Sequence, residues 1–302
     1  MTLEQLRIFL AVADHQHFTR AADALYITQP AVSAAIQSLE QEYSVKLFHR
    51  MGRRIEITDA GELLHIEAQK ILAQVALTER GLRELNNLQQ GELRLGASLT
   101  VGNYWLPDRI SQFKRQHPGI VINCTLGNAE EICDGTATGR FDLGLVTGEI
   151  KPALQNRLET EVVGSDRLQI VVGTAHPWFG QSTIFVEELK NTNWVMRESG
   201  SGTQQQFEQV LHHWAIDSAQ LEVIFVLSSS EMVKAVVESG VGAAAIPRLM
   251  VEKELKLFTL HAVQVIDRDQ ENLDIVQPIL KLKHTQRFQT RFSAAFEQML
   301  RK

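Results

Sequence analysis

The stretch Thr28-Gln29-Pro30-Ala31-Val32-Ser33-Ala34-Ala35-Ile36-Gln37-Ser38-Leu39-Glu40 constrains this chain more than any other. Thr28 is suited to cap a helix, its hydroxyl accepting a backbone N–H. Pro30 is tolerated in a first turn, where a missing N–H costs nothing. Val32, Ile36 and Leu39 recur at i, i+4 and i+7 and give the helix one apolar face. Gln29, Ser33 and Gln37 then line the opposite face, one turn apart. Such short or uncharged hydrogen-bonding side chains are the kind that reach base edges in a major groove. A shorter helix, Thr19 to Leu25, precedes it across the turn Tyr26-Ile27, and its Ala21-Ala22 pair admits a close crossing. Two short helices, a tight turn and a polar outer face on the second make a helix-turn-helix.

Lys46, Arg50, Arg53 and Arg54 follow closely, interleaved with Phe48 and broken by Gly52, before Ile55-Glu56-Ile57-Thr58 alternates as a short strand. A basic turn feeding a strand reads as a wing whose cations hold phosphates beside the groove. The plainer reading is a small helical core with an ordinary solvated charge cluster, and helix spacing alone does not separate the two.

Leu3 to Leu64 resembles the amino-terminal domain of the LysR-type transcriptional regulators. The likeness is carried by Leu6, Phe9, Val12, Phe18, Thr19, Ala21-Ala22, Leu25, Gln29-Pro30-Ala31-Val32-Ser33, Ile36, Leu39-Glu40, Leu47-Phe48, Arg50, Thr58 and Ala60-Gly61. Thr28 stands where the family often has Ser, and Met51-Gly52 inside the basic turn is a second departure. Lengths and motifs downstream fit the same family, so the resemblance covers essentially the whole chain. It implies a sequence-specific regulator with Thr28, Gln29, Pro30, Ser33 and Gln37 at or near base edges and Arg50, Arg53 and Arg54 on the DNA backbone.

The net charge of -6 would by itself argue against nucleic acid. Placement matters more than the sum. Over residues 1–58, Arg7, Arg20, Lys46, Arg50, Arg53 and Arg54 are matched by Glu4, Asp14, Asp23, Glu40, Glu42 and Glu56. Such a domain neutralises few phosphates and should bind DNA weakly as a monomer, so duplication by oligomerisation is expected. The start Met1-Thr2-Leu3-Glu4 is not that of a signal peptide, and no apolar run is long enough to span a bilayer. The expectation is a cytoplasmic protein with no membrane partner. Cys124 and Cys133, the only cysteines, suit a reducing compartment and read as inert thiols in a strand and a helix.

A long helix is expected from Thr58 or Asp59 to about Leu88. In it Leu64, Ala68, Ile71, Val75, Thr78, Leu82 and Leu85 step by four and three, a heptad seam that calls for a partner helix. The same helix of a second chain is the first candidate, giving a homodimer and, as the family resemblance implies, a homotetramer through lobe contacts. Docking against the carboxyl-terminal body is the alternative. The polar run Asn86-Asn87-Leu88-Gln89-Gln90-Gly91 then reads as a hinge.

From Glu92 strands and helices alternate. Strands are expected at 92–97, 120–126, 141–147, 168–172, 194–196, 223–227, 243–246 and 279–283, and helices at 104–115, 129–138, 203–214, 230–238 and 285–300. The whole is an α/β fold with an all-α amino-terminal part: a winged helix-turn-helix over 1–58, a linker and dimerisation helix with hinge over 59–90, and an effector domain over 91–302. That last body has a parallel-rich sheet in two lobes and resembles the effector domain of the LysR family, itself similar to periplasmic solute-binding proteins. The crossings are expected near Val162–Ser165 and Val263–Asp269, which makes lobe 1 residues 91–162 and 268–302 and lobe 2 residues 163–267.

Ligands in open α/β sheets bind beyond the carboxyl ends of strands. Ser98-Leu99-Thr100-Val101-Gly102 follows the first strand and opens a helix, and Arg197-Glu198-Ser199-Gly200-Ser201-Gly202-Thr203 does the same in the second lobe. Each offers free backbone N–H groups and a helix dipole suited to an anion. Alone, either loop reads as helix capping; together across a cleft they favour a small carboxylate or inorganic anion. The family resemblance places Ser98, Thr100, Thr147, Ser199, Gly200, Ser201 and Thr203 at the effector. Glu198 is an acid that would oppose an anion if it pointed inward.

Other chemistry is poorly supported. Gly240-Val241-Gly242 follows a helix instead of a strand, His212-His213 lack metal-ligand spacing, and no nucleophile elbow or Walker loop occurs. No catalytic residue, metal or cofactor is expected. The partners expected are double-stranded DNA, a small effector, further copies of the chain and, for a regulator of transcription, RNA polymerase. The rival is a non-regulatory α/β solute-binding protein or enzyme with a helical amino-terminal extension.

Overall fold

The computed structural model describes residues 1–51, 54–86 and 91–301, without the side chains of residues 50, 51, 54 and 84–86. It divides into two compact units, Met1–Leu82 and Arg83–Lys302.

In the first unit, Thr2 and Gln5 close a reciprocal capping box at the start of α1 (Leu3–His15). His17 caps α2 (Phe18–Leu25), its ring Nδ1 accepting from the Thr19 amide at 3.2 Å. Tyr26 takes the left-handed conformation that ends α2, and α3 (Gln29–Tyr43) follows. Val32, Ile36 and Leu39 of α3 pack with Leu6, Phe9 and Val12 of α1, and Ala21 and Ala22 keep α2 close. Phe48 closes this core, its ring centroid 5.4 Å from that of Phe9. The wing is a two-stranded hairpin, β1 (Phe48–Met51) antiparallel to β2 (Arg54–Ile57), with Phe48 opposite Ile57. Sequence reading gave only its second strand. Helix α4 (Asp59–Asn86) begins at Thr58, whose hydroxyl accepts from the Gly61 amide and donates to the Lys46 carbonyl at 2.6 Å.

The second unit runs β3 (Gly91–Ser98), a π-helical turn (Val101–Trp105), α5 (Leu106–Gln116), β4 (Ile120–Gly127), α6 (Ala129–Thr138), β5 (Leu143–Thr147), β6 (Leu158–Gly173), β7 (Thr183–Phe185) and β8 (Asn193–Arg197). It continues with α7 (Gly202–His213), β9 (Glu222–Leu227), α8 (Ser230–Glu238), β10 (Ala243–Pro247), α9 (Arg248–Leu257), β11 (Leu260–Ile266), β12 (Ile275–His284) and α10 (Arg291–Leu300). The strand order is β4-β3-β5-β12-β6-β10-β8-β9, with β11 and β7 off this path. Within each lobe the strands beyond the crossing are parallel, β4-β3-β5 in one and β10-β8-β9 in the other. The joining strands β6 and β12 are antiparallel to each other and to β10 and β5 respectively. The sheet is therefore mixed, with the expected parallel pairs in both lobes and antiparallel ones along β6 and β12.

Two cores define the lobes: Leu93, Leu95, Phe113, Leu145, Ile279 and Phe296 in the first, Leu168, Ile170, Trp194, Phe207, Val263 and Ile275 in the second. The first crossing runs through β6, which contains Val162–Ser165. The second runs through β12, between Ile275 of one core and Ile279 of the other. It is thus later than the expected Val263–Asp269, because Val263 and Val265 belong to the second lobe's core. The terminal helix is also shorter than expected. It starts at Arg291 because Thr290 caps it, while the Thr285 hydroxyl bonds to the Arg157 carbonyl. Helix α9 and strands β7 and β11 were not foreseen.

Candidate functional site

On α3 the Thr28 hydroxyl accepts from the Ala31 amide at 3.4 Å. Thr28, Gln29, Pro30 and Gln37 are exposed and Ser33 half-buried, opposite the wholly buried Val32 and Ile36. Gln29 Nε2 donates to Ser33 Oγ at 2.8 Å, so these two residues already share an edge. At the carboxyl end of α3, Glu40 accepts from the Leu47 amide at 2.9 Å and from Lys46 Nζ at 2.8 Å. Burial pushes this carboxyl upward, but Lys46 and the Leu47 amide outweigh it and hold it below the ordinary value. Glu40 thus anchors the chain where it enters the wing. Of the expected wing cations, Arg53 and the side chains of Arg50 and Arg54 lie outside the described residues, as do residues 87–90 of the hinge.

Along α4 the seam divides. Ala68 is wholly buried and Leu64 half-buried against the helix-turn-helix core, whereas Ile71 and Leu82 are exposed and Val75 half-buried. Leu63 and Ile66 are exposed as well. The side chain of Leu85 lies outside the described residues.

In the second unit Ser98 ends β3 and Thr147 ends the adjacent parallel strand β5, while Ser201 caps α7. Ser98, Thr100, Thr147, Ser201 and Thr203 are all buried; Ser199 is exposed. The second-lobe loop reaches the first lobe directly. The Glu130 amide donates to the Gly200 carbonyl at 3.3 Å, and the Glu149 amide to Gln205 Oε1 at 2.9 Å. A methyl group at position 202 would stand 1.8 Å from the Thr147 carbonyl oxygen, so only glycine allows that approach. Gly200 has φ +90, a left-handed turn that also favours glycine.

Arg197, buried, holds Glu198 in a two-pronged pair at 2.8 and 2.9 Å and also donates to Ser230 at the start of α8. The acid in the loop is therefore paired with a cation. From the first lobe, Tyr104 on the turn after Thr100 donates to Glu231 of α8, and Lys234 pairs with Glu231 at 3.1 Å and Glu254 at 2.9 Å. Burial disfavours the Lys234 charge, yet Glu254, Glu231 and Tyr104 hold its pKa above the ordinary value. Helix α8 is thus bonded to Arg197, which opens the second-lobe loop, and to Tyr104, which follows the first-lobe loop.

Gln277 on β12 is a residue that sequence reading missed. It is wholly buried, and its Nε2 donates to Thr203 Oγ1 at 3.4 Å. Its signal was present: Ile275, Gln277 and Ile279 alternate in phase, which assigns the polar member to the buried face. Cys124 is exposed on β4 and Cys133 buried in α6, where burial pushes its thiol up to about 12. Among the described residues no cluster of three or more His, Cys, Asp or Glu could hold a metal, and no helix is long and apolar enough to cross a membrane.

Comparison with known proteins supplies the context. Residues 3–62 match the family model for bacterial regulatory helix-turn-helix proteins of the lysR family, and residues 86–302 that for the LysR substrate binding domain. The chain is 36% identical over 295 residues to a probable RuBisCO transcriptional regulator of Synechocystis sp., covering 98% of this chain and 84% of the relative. It is 35% identical over 297 residues to that of Trichormus variabilis, covering 98% and 87%. Among solved structures, CbnR, a LysR family transcriptional regulator, superposes with TM-score 0.74 at 19% identity, covering 100% of this chain and 98% of CbnR. The regulatory domain of Synechocystis CcmR, in complex with 2-PG, gives TM-score 0.61 at 22% identity, covering 70% of this chain and 96% of that one. At these identities the structures establish the fold alone.

Proposed function

The chain belongs to the LysR family of transcriptional regulators, and from that premise we propose how its residues divide the work. The α3 face Gln29, Pro30, Ser33 and Gln37, opened by Thr28, reads base edges in a major groove, and Arg50, Arg53 and Arg54 of the wing hold the DNA backbone. Two copies pair through the α4 seam, whose Ile71, Val75 and Leu82 remain for a partner once Leu64 and Ala68 are used within the chain, and lobe contacts join pairs into tetramers. The protein works on chromosomal DNA, in the cytoplasm. The cleft bounded by Ser98, Thr100, Thr147, Ser199, Gly200, Ser201 and Thr203 takes a small anionic metabolite.

The observation that carries the DNA reading is the exposed polar row on α3 set against its wholly buried apolar face. For the effector, the support is a cluster of buried hydroxyls at strand ends beside a capped helix start, with Glu198 neutralised by Arg197. The names of the relatives make carbon-fixation genes the first operators to try, and CcmR makes 2-PG the first ligand. A ligand that favours one lobe arrangement shifts the spacing of two reading heads, and so changes DNA bending or footprint more than gross affinity.

Mobility shifts on the upstream DNA of its own gene, backed by genomic selection, test the first part. Salt-sensitive, site-selective binding is expected; its absence from both would overturn the proposal. Ser201→Ala with Thr100→Val tests the second. That double variant should bind its operator and lose the response to the metabolite.

A further inference from the structure

The crossing strand β12 puts Ile275, Gln277, Ile279 and Lys281 on one side, and all four are buried. Ile275 enters the core of the second lobe and Ile279 that of the first, while Lys281 pairs with Glu161 and Glu297. Gln277 falls between the two cores. Its Nε2 reaches Thr203 Oγ1, but its Oε1 is buried with no hydrogen-bond partner in the protein. A polar atom withdrawn from water and left unpaired opposes folding unless something else satisfies it. Thr147 lies directly opposite Ile279 across the β5–β12 pair, so Thr147 and Gln277, two residues apart in register, share a face. The Thr147 carbonyl meets Gly202, next to Thr203. Ser98, at the end of the strand beside β5, is the other buried side chain of this region whose polar atom has no partner.

We infer that Gln277 is a ligand-contact residue and that the site takes a small anion carrying a hydroxyl beside its charge. The inference rests on reading the interlobe cleft as the effector site and names the class of molecule that fits it. The chemistry divides cleanly. The hydroxyls of Ser98, Thr100 and Thr147 and the amides at the start of α7 can donate, which suits an anion. Gln277 Oε1 can only accept, and its amide nitrogen is engaged by Thr203. A plain carboxylate leaves Oε1 unpaired on binding, because a carboxylate has no proton to give. A hydroxy acid, or a phosphate ester that keeps a free hydroxyl, places an O–H there.

Calorimetric titration of the full chain with matched pairs reads this directly: glycolate against acetate, L-malate against succinate, and 3-phosphoglycerate against 3-phosphopropionate. The wild type should prefer the hydroxylated member of the pair it binds by roughly tenfold, the scale of one hydrogen bond to a buried acceptor. Gln277→Met, close in length and apolar, should erase that preference, the affinity for the hydroxylated member falling to that of its hydroxyl-free partner. Gln277→Glu should weaken both members through repulsion. Circular dichroism melting confirms that each variant is folded, and where Gln277→Met is not, Gln277→Leu takes its place. A preference that persists undiminished in the folded apolar variant overturns the inference and leaves the site standing. Wild-type binding that is unchanged by Thr100→Val with Ser201→Ala overturns the placement of the site itself, and this inference with it.

Discussion

Gly202→Ala adds one methyl group where the second lobe closely approaches the end of β5 in the first. That methyl would stand 1.8 Å from the Thr147 carbonyl oxygen, 2.5 Å from its carbon and 3.2 Å from Ala129 Cβ. An ordinary carbon–oxygen approach is about 3.3 Å, so relief requires a displacement of roughly 1.5 Å. The obstacles are backbone and the shortest of side chains, so no rotamer change provides it. The second-lobe loop must lift from the end of β5, or α7 must shift within its own lobe. Overpacking of this kind costs about 1–3 kcal/mol. At about 2–4 °C per kcal/mol for a unit of this size, the melting temperature should fall by roughly 2–12 °C. All four tryptophans, Trp105, Trp178, Trp194 and Trp214, lie in the second unit, so their fluorescence follows its unfolding without a signal from the helix-turn-helix. Ligand affinity should fall in the same variant while operator binding is kept. A melting temperature and ligand affinity equal to wild type would refute the tight approach of Gly202 to Thr147.

Other expectations follow from single contacts. Lys281→Met removes the nearest cation of buried Glu297, which keeps Arg301 at 3.2 Å and Lys283 at 3.4 Å, so the cost in chemical denaturation should fall below the ~3–5 kcal/mol of a wholly unpaired buried charge, with much of it regained on adding Glu297→Leu. The Glu40 carboxyl lies below its ordinary 4.5 in the folded chain, so it stabilises the fold above that value and the contribution is lost as pH falls through the folded value. Urea midpoints followed by helical dichroism should therefore drop less steeply between about pH 5 and pH 3 in Glu40→Gln than in wild type. Ile71→Asp or Leu82→Asp should convert the oligomer to monomers in sedimentation, because each places a charge in the seam at a cost of several kcal/mol; a wild-type monomer at micromolar concentration would contradict the seam.

The parts legible in the sequence are those where local chemistry and periodicity agree. Helix α3 has its cap, its proline and its apolar stripe in register, and its observed bounds follow them. Helices α6 and α8 likewise start at Asn128 and Ser229 caps and bury one face. Strand β6 was read only from Leu168, because Glu159 to Arg167 is a polar, largely exposed ribbon; its order comes from pairing with β12. Strand β1 hides in a basic segment, since its pairing with β2 and the burial of Phe48 under α1 decide it and neither is local. Helix α9 follows directly on Pro247, which reads as an end and here serves as a start. In the candidate site, hydroxyls and glycines at strand ends were visible one loop at a time. The approach of Gly202 to Thr147 depends on the lobes meeting, which no single segment encodes, whereas Glu198 pairs with its own neighbour Arg197 and the burial of Gln277 follows the alternation of β12.

The central claim is that α3 reads DNA sequence through Gln37 and its neighbours, and selection of genomic fragments by wild type and Gln37→Ala tests it most directly. The wild type should enrich a motif with paired half-sites. The variant should enrich a motif altered at one position of each half-site, with discrimination there reduced by ~1–3 kcal/mol and the salt dependence unchanged. An identical motif from both proteins would contradict the assignment of the reading face.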